Sequence, residues 1–142
     1  ESKKTPHVLL IEDNETSRRM SQVILMQLNC LVDTADSEPQ VCTMFKPGQY
    51  DLVLMDIKLN DTSGYAIAKY IRTKEQKAGE HVSIIALTGY PAENLMLDCI
   101  RYHIDGAITK PLGLEQAQQL IQRYVFNHDV PVVRLKIPSS QN

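Results

Sequence analysis

The sequence predicts an α/β domain: a doubly wound, five-stranded parallel sheet with helices on both faces. Two observations predict the alternating architecture. Short apolar runs without internal alternation, as in Leu52 to Met55, suit strands buried on both faces of a parallel sheet. Between them lie segments whose apolar residues recur at helical spacing, so strand and helix alternate from one end of the chain to the other. A third observation points to function, because several of these strands end in acidic, hydroxyl or ammonium side chains. Open α/β sheets bind ligands in the crevice beyond the carboxyl ends of their strands.

The 142 residues suffice for one core without disulfide or metal staples. An apolar fraction of 43% and a charged fraction of 23% are ordinary for a globular chain. The net charge of -2 gives no basic footprint, so no nucleic acid partner is expected. No apolar run approaches the ~20 residues of a membrane span and no leader precedes the first strand, so we expect a cytoplasmic domain without direct membrane contact. Cys30, Cys42 and Cys99 are odd in number and far apart, as expected of reduced thiols. His7, His81, His103 and His128 show no metal-ligand spacing.

Residues 1–6 read as a polar, frayed tail. His7 to Ile11 forms the first strand and runs into Glu12-Asp13. Asn14 then caps a helix to about Leu28, with Met20, Ile24 and Leu28 on one face and Val23 beside them, core or half-buried. Leu31 to Ala35 is the second strand, and a helix opened by Asp36 or Ser37, with Pro39 in its first turn, ends near Phe45. The third strand closes on Asp56. Lys58 to Gly64 is a loop by composition, and helix resumes from Tyr65 to about Lys77, with Ile67, Tyr70 and Ile71 inward, stopping at Gly79. Val82 to Leu87 is the fourth strand, followed by Thr88-Gly89. Pro91 begins a helix to about His103 with Leu95, Cys99 and Ile100 on one face. Ala107 to Thr109 is the fifth strand, followed by Lys110-Pro111. A last helix from about Leu114 to Phe126 buries Ala117, Leu120, Ile121 and Val125. The domain therefore spans 7–127, and 128–142, with two prolines in a β-prone stretch, is a linker or an appended edge segment.

Glu12, Asp13, Asp56, Thr88 and Lys110 are thus expected at one sheet edge. Two like charges ~4 Å apart repel by about 4 kcal/mol at an effective dielectric of ~20, so gathered carboxylates need compensation. Mg²⁺ or Mn²⁺ supplies it, since such ions take oxygen ligands and share their shell with water and phosphate. Lys110 adds a fixed positive charge for a phosphoryl oxygen, and the Thr88 hydroxyl a donor for another. Asp56 then serves as nucleophile, forming an aspartyl phosphate by in-line transfer. A carboxylate nucleophile needs no general base.

The set Leu-Ile-Glu-Asp-Asn at 10–14, Asp-Leu-Val-Leu-Met-Asp at 51–56, Ala-Leu-Thr-Gly at 86–89 and Ile-Thr-Lys-Pro-Leu at 108–112 resembles the receiver domain of two-component response regulators. The resemblance implies a flavodoxin-like fold whose five parallel strands lie in the order 2-1-3-4-5, and at the finer level it is to receivers within hybrid sensor histidine kinases. It implies Asp56 as phosphoacceptor, Asp13 and Asp56 as direct metal ligands, and Glu12 as an acidic partner acting largely through water. It also implies a Lys58 carbonyl ligand, a Thr88 switch hydroxyl, and Lys110 as the phosphoryl-binding lysine before a cis Pro111. The implied partners are a histidine kinase phosphodonor and a histidine phosphotransfer domain, for a monomer or weak dimer tethered at most through a parent sensor. Two departures stand out. Ala107 occupies the place of a frequent aromatic switch residue, and Asn60 that of a frequent loop proline.

Lys58 and Tyr90, each two residues beyond a key side chain, are expected to border the pocket and tune the lifetime of the aspartyl phosphate. Arg18 and Arg19 read as a solvated helix face, while Met20 and Val23, on the helix flanking the active edge, are expected to help dock a phosphotransfer helix. Competing functions are a stand-alone response regulator acting by protein binding and a phosphatase with an aspartyl intermediate. The phosphatase is disfavoured because Lys58 stands where a general acid two residues beyond the nucleophile is needed.

Overall fold

Every residue of β3 (Leu52–Asp56) is buried, because strands pair with it on both edges and helices cover both its faces. A computed structural model describes residues 4–139. Around β3 the chain runs β1 (His7–Ile11), α1 (Glu15–Gln27), β2 (Leu31–Ala35) and α2 (Glu38–Met44) before it, then α3 (Gly64–Ala78), β4 (Ser83–Thr88), α4 (Leu95–Arg101), β5 (Gly106–Thr109) and α5 (Leu114–Tyr124). The strands pair in parallel in the expected order, β2-β1-β3-β4-β5.

Strand alternation divides the core in two. Leu9, Val53, Met55, Ile84 and Ala107 face α2, α3 and α4, while Val8, Leu52, Leu54, Ile85 and Ile108 face α1 and α5. Ser37 and Ser63 cap α2 and α3 through their side chains, and Asn14 caps α1 by accepting from Ser17 N–H at 2.8 Å. Gly79 ends α3 at φ 69, a left-handed position suited to glycine. Cys30, Cys42 and Cys99 are all free, and burial pushes the thiols of Cys30 and Cys99 up to about 11, leaving them protonated at neutral pH.

Several expectations are corrected. The fourth helix begins at Leu95, four residues after Pro91, and ends at Arg101; the side chain of its cap residue Asn94 makes no capping hydrogen bond. Pro91 and Ala92 are instead irregular and Glu93-Asn94 form a turn, all four exposed. Ile100 is exposed rather than inward, and the α4 face that packs is Leu95 with Cys99. On α1 the only fully buried side chain is Leu25, with Ile24 and Leu28 packed part-buried against the same core. Met20 and Val23 are therefore neither core nor half-buried, at 58% and 54% exposure.

Of the expected N-terminal tail, residues 1–3 lie outside the described residues, but Lys4 to Pro6 are held. Lys4 pairs with Asp51 at 2.5 Å, and the buried Pro6 accepts from Leu31 N–H at 2.8 Å. Of the C-terminal segment, residues 140–142 lie outside the described residues. The rest folds back on β5, where Lys136 forms an antiparallel bridge with Ala107.

Candidate functional site

The site sits where β1, β3, β4 and β5 end side by side. Glu12 and Asp56 are almost wholly buried, at 2% and 4% exposure, and Asp13 is half-buried beside them. One carboxylate oxygen from each of the three lies within 4.8 Å of the others. Opposing ligands around Mg²⁺ are separated by ~4 Å, given Mg–O distances of ~2.1 Å, so the three oxygens lie close enough to share one ion, directly or through water. The set is all oxygen, which matches a hard divalent cation.

Lys110 reaches this cluster from the end of β5. Its Nζ donates to Asp56 Oδ2 at 3.1 Å and to Glu12 Oε1 at 3.3 Å. Three carboxylates against one ammonium leave the site net anionic when all are ionised. Burial pushes the Glu12 pKa up; the Asn14 amide bond works against the rise, Asp56 reinforces it, and Lys110 opposes it. For Lys110 burial acts to lower the pKa, but the hydrogen bond and charge of Asp56, with Glu12, outweigh it and the net direction is up. The ammonium is therefore firmly charged at neutral pH.

Backbone amides hold the carboxylates in place. Asp56 Oδ1 accepts from Lys58 N–H at 3.1 Å, Glu12 Oε2 from Asn14 N–H at 3.1 Å, and Asp13 Oδ2 from Asn60 N–H at 2.6 Å. The Asn60 bond ties the loop after β3 to the segment after β1, 47 positions apart. Gly64 lets that loop close: a Cβ there would stand 2.6 Å from the Asp56 carbonyl oxygen and 2.9 Å from Ile57 Cα. The Lys110-Pro111 peptide is cis, as the resemblance implied.

Thr88 ends β4, which pairs Leu87 with Asp56, and its hydroxyl donates to the Tyr90 carbonyl at 2.8 Å. The Tyr90 ring points into solvent at 90% exposure, and the Lys58 side chain is exposed. Beside the cluster lies a groove of about 240 Å³ lined by residues that include Glu12, Met20, Leu87, Lys110 and Pro111. Met20 thus borders the site directly. Val23 falls outside that lining, further along α1.

Arg18 departs from its expected solvated position: it is half-buried and its Nη1 donates to the carbonyls of Glu12 and Asp13, at 3.0 and 3.4 Å. The amides of Asn14 and Asn60, which hold the acids, were also missed. Backbone donors leave no mark in residue type, and the only available signal was the placement of Asn14 at a helix cap, next to the acids.

Residues 8–122 match the profile of the response regulator receiver domain. The chain belongs to that family. This receiver domain is 33% identical over 126 residues to the aerobic respiration control sensor protein ArcB of Escherichia coli (strain K12), a match covering 87% of this chain and 16% of that protein. It is also 24% identical over 138 residues to probable histidine kinase 4 of Oryza sativa subsp. japonica, covering 84% of this chain and 14% of that one. The receiver domain thus spans about a sixth of the length of such relatives. Among solved structures it resembles the receiver domain of Saccharomyces cerevisiae Ssk1, crystallised with the histidine phosphotransfer protein Ypd1, with TM-score 0.78, 23% identity, and coverage of 89% of this chain and 92% of that chain. The non-phosphorylated HemR receiver domain of Leptospira biflexa gives TM-score 0.75 at 25% identity, covering 89% of this chain and 98% of that chain. Among the described residues no helix is long and apolar enough to cross a membrane.

Proposed function

We propose that this receiver domain accepts a phosphoryl group on Asp56 from a phosphohistidine donor, as a station in a phosphorelay and as part of a hybrid sensor histidine kinase. The observation that carries this is the Lys110 ammonium shared between Asp56 and Glu12, with Asp13 alongside, all at the open end of the sheet. Asp13, Asp56 and the Lys58 carbonyl would hold Mg²⁺ or Mn²⁺, with Glu12 acting through water. When bound, that ion neutralises the charge gathering on the phosphoryl oxygens during transfer.

One oxygen of Asp56 attacks phosphorus in line with the P–N bond. A P–O bond forms, the P–N bond breaks, and its electron pair returns to the donor imidazole, which is protonated by solvent. Lys110, now bonded to Asp56 Oδ2, passes its hydrogen bond to an arriving phosphoryl oxygen. The Thr88 hydroxyl must turn from the Tyr90 carbonyl to donate to a second. The Lys58 amide keeps the other oxygen of Asp56 oriented throughout. The ArcB match and the phosphotransfer partner of the Ssk1 receiver support a relay over a transcriptional switch. So does Ala107, too small to swing an aromatic ring inward. With the reading goes a cytoplasmic location, tethered through a parent sensor.

The experiment is transfer from a ³²P-labelled histidine phosphotransfer domain or kinase domain to the chain with Mg²⁺. Label moving to an acid-stable, base-labile acyl phosphate supports the proposal; no transfer from any histidine donor defeats it. Because Met20 and Val23 form an exposed apolar flank on α1, Val23→Asp is expected to slow transfer while leaving labelling by acetyl phosphate intact. An unchanged transfer rate removes α1 from the docking surface. Alanine at Lys58 and at Tyr90 is expected to change the decay rate of the aspartyl phosphate severalfold without preventing its formation. If both decay curves overlay the parent's, neither side chain borders the reacting groups.

A further inference from the structure

The three carboxylates of the cluster are not held alike. Glu12 and Asp56 each set one oxygen against a backbone amide two residues further on, Asn14 and Lys58 at 3.1 Å, and offer the other to Lys110. Both are buried. Asp13 is only half-buried, and among the described residues Lys110 pairs with Glu12 and Asp56 but not with it. The hydrogen bond that orients Asp13 comes from another part of the chain, where Asn60 N–H donates to its Oδ2 at 2.6 Å. An amide bonded to a carboxylate at that distance is one of the stronger polar contacts a protein makes.

The loop that delivers this amide is braced. Gly64 N–H donates to the Ile57 carbonyl at 2.6 Å, and Lys58 and Ser63 form an antiparallel bridge, so residues 57–64 close on themselves with Asn60 near the tip. Leu59 is buried, at 8% exposure, which anchors the chain one residue from Asn60. Asn60 itself is exposed, and the group it turns toward the acids is its main-chain N–H.

We propose that the Asn60 N–H is a positioning group for the cation site: it turns the Asp13 carboxylate so that one oxygen stays with the loop and the other is presented to a hard divalent cation. In the function proposed above, Asp13 and the Lys58 carbonyl of this same loop hold Mg²⁺ or Mn²⁺, and the inference rests on that reading. Carboxylates that ligate a metal keep their aim through such outer hydrogen bonds, and losing one lowers metal affinity about 10- to 100-fold. The coupling is mutual. A cation on Asp13 holds the loop closed, and a closed loop favours the cation. Position 60 acts through its amide alone, a donor that every residue except proline supplies.

The test uses the full chain and reads Mg²⁺ binding by calorimetry with no phosphodonor present. Asn60→Pro deletes the N–H, whereas Asn60→Ala changes the side chain and keeps it. Asn60→Pro is expected to weaken Mg²⁺ binding about 10-fold or more, and Asn60→Ala to return the parent's affinity. Hydrogen exchange supplies a second measurement that needs no change in the loop. In the metal-free chain the Asn60 amide is expected to be protected, to exchange about 10-fold faster in Asp13→Ala, and to slow further in the parent once Mg²⁺ is added. If Asn60→Pro lacks a cooperative urea melt, the exchange rates decide. Parent-like affinity in a folded Asn60→Pro, an equal loss in Asn60→Ala, or an Asn60 amide indifferent to Asp13→Ala would each overturn the proposal and leave the cation site standing. A parent that binds no Mg²⁺ fails earlier, at the reading of the site, and takes the proposal with it.

Discussion

Asp56→Asn is expected to abolish phosphorylation by any donor, a loss larger than that of any other single change in the domain. The amide has the shape of the carboxylate but is a poor nucleophile, so no acyl phosphate forms. Its effect on the fold is expected to be small and of mixed sign. The substitution relieves repulsion with Glu12, one cause of the upward shift at that residue, and it weakens the bond that Lys110 makes at 3.1 Å. The Lys58 amide still finds an oxygen acceptor at position 56. Phosphate incorporation and urea stability measured on the same preparation separate the two effects. Undiminished incorporation in a chain that melts like the parent would mean that another residue is the acceptor.

Arg72→Ala carries the largest expected loss of stability. Arg72 lies on α3 with its side chain 12% exposed, and every arm of its guanidinium is used. Nε and Nη2 donate to the His103 carbonyl, Nη1 to the Val82 carbonyl and to Glu75 Oε1 at 2.6 Å, and Nη2 to Asp105 Oδ2 at 3.0 Å. Glu75, whose side chain is 2% exposed, also accepts from Val82 N–H, and Asp105 from Ile84 N–H. The network fastens α3 to the start of β4 and to the turn before β5. Removing the arginine strands a buried carboxylate, which costs about 3 to 5 kcal/mol, a large share of the ~5 to 15 kcal/mol that holds a domain together. Glu75→Gln removes the same buried charge but keeps an oxygen for the Val82 amide, and is expected to cost less than Arg72→Ala. Denaturant melts of the two variants check the ranking; equal, small losses would show that the network contributes little.

The sequence exposed the strands well because strands buried on both faces must be continuously apolar, and Leu52 to Met55 is such a run at strand length. The acidic edge followed from the strands, since Glu12, Asp13, Asp56, Thr88 and Lys110 each end a strand or stand within two residues of its end. Helix faces were harder. On α1, Met20, Ile24 and Leu28 form one stripe and Leu25 starts another, and only packing against α5 and β2 selects Leu25 as the buried residue. Pro91 looked like a helix start, but the turn at 93–94 delays α4 to Leu95. Arg72 and Glu75 stand three apart, as surface ion pairs often do, and nothing local shows that the sheet end buries them. The return of the C-terminal segment to β5 was equally opaque, since its bond to Ala107 depends on where the chain goes after α5.

The central claim, that one pocket joins Asp56, the acidic pair and Lys110 in cation-dependent phosphoryl transfer, is tested most directly by locating the modification. The full chain is incubated with acetyl phosphate and Mg²⁺, reduced with borohydride to trap the acyl phosphate, digested and sequenced by mass spectrometry. We predict one trapped site, Asp56, that disappears when the metal is chelated. A trapped site elsewhere, labelling indifferent to chelation, or a chain that stays unmodified with the metal present would contradict it.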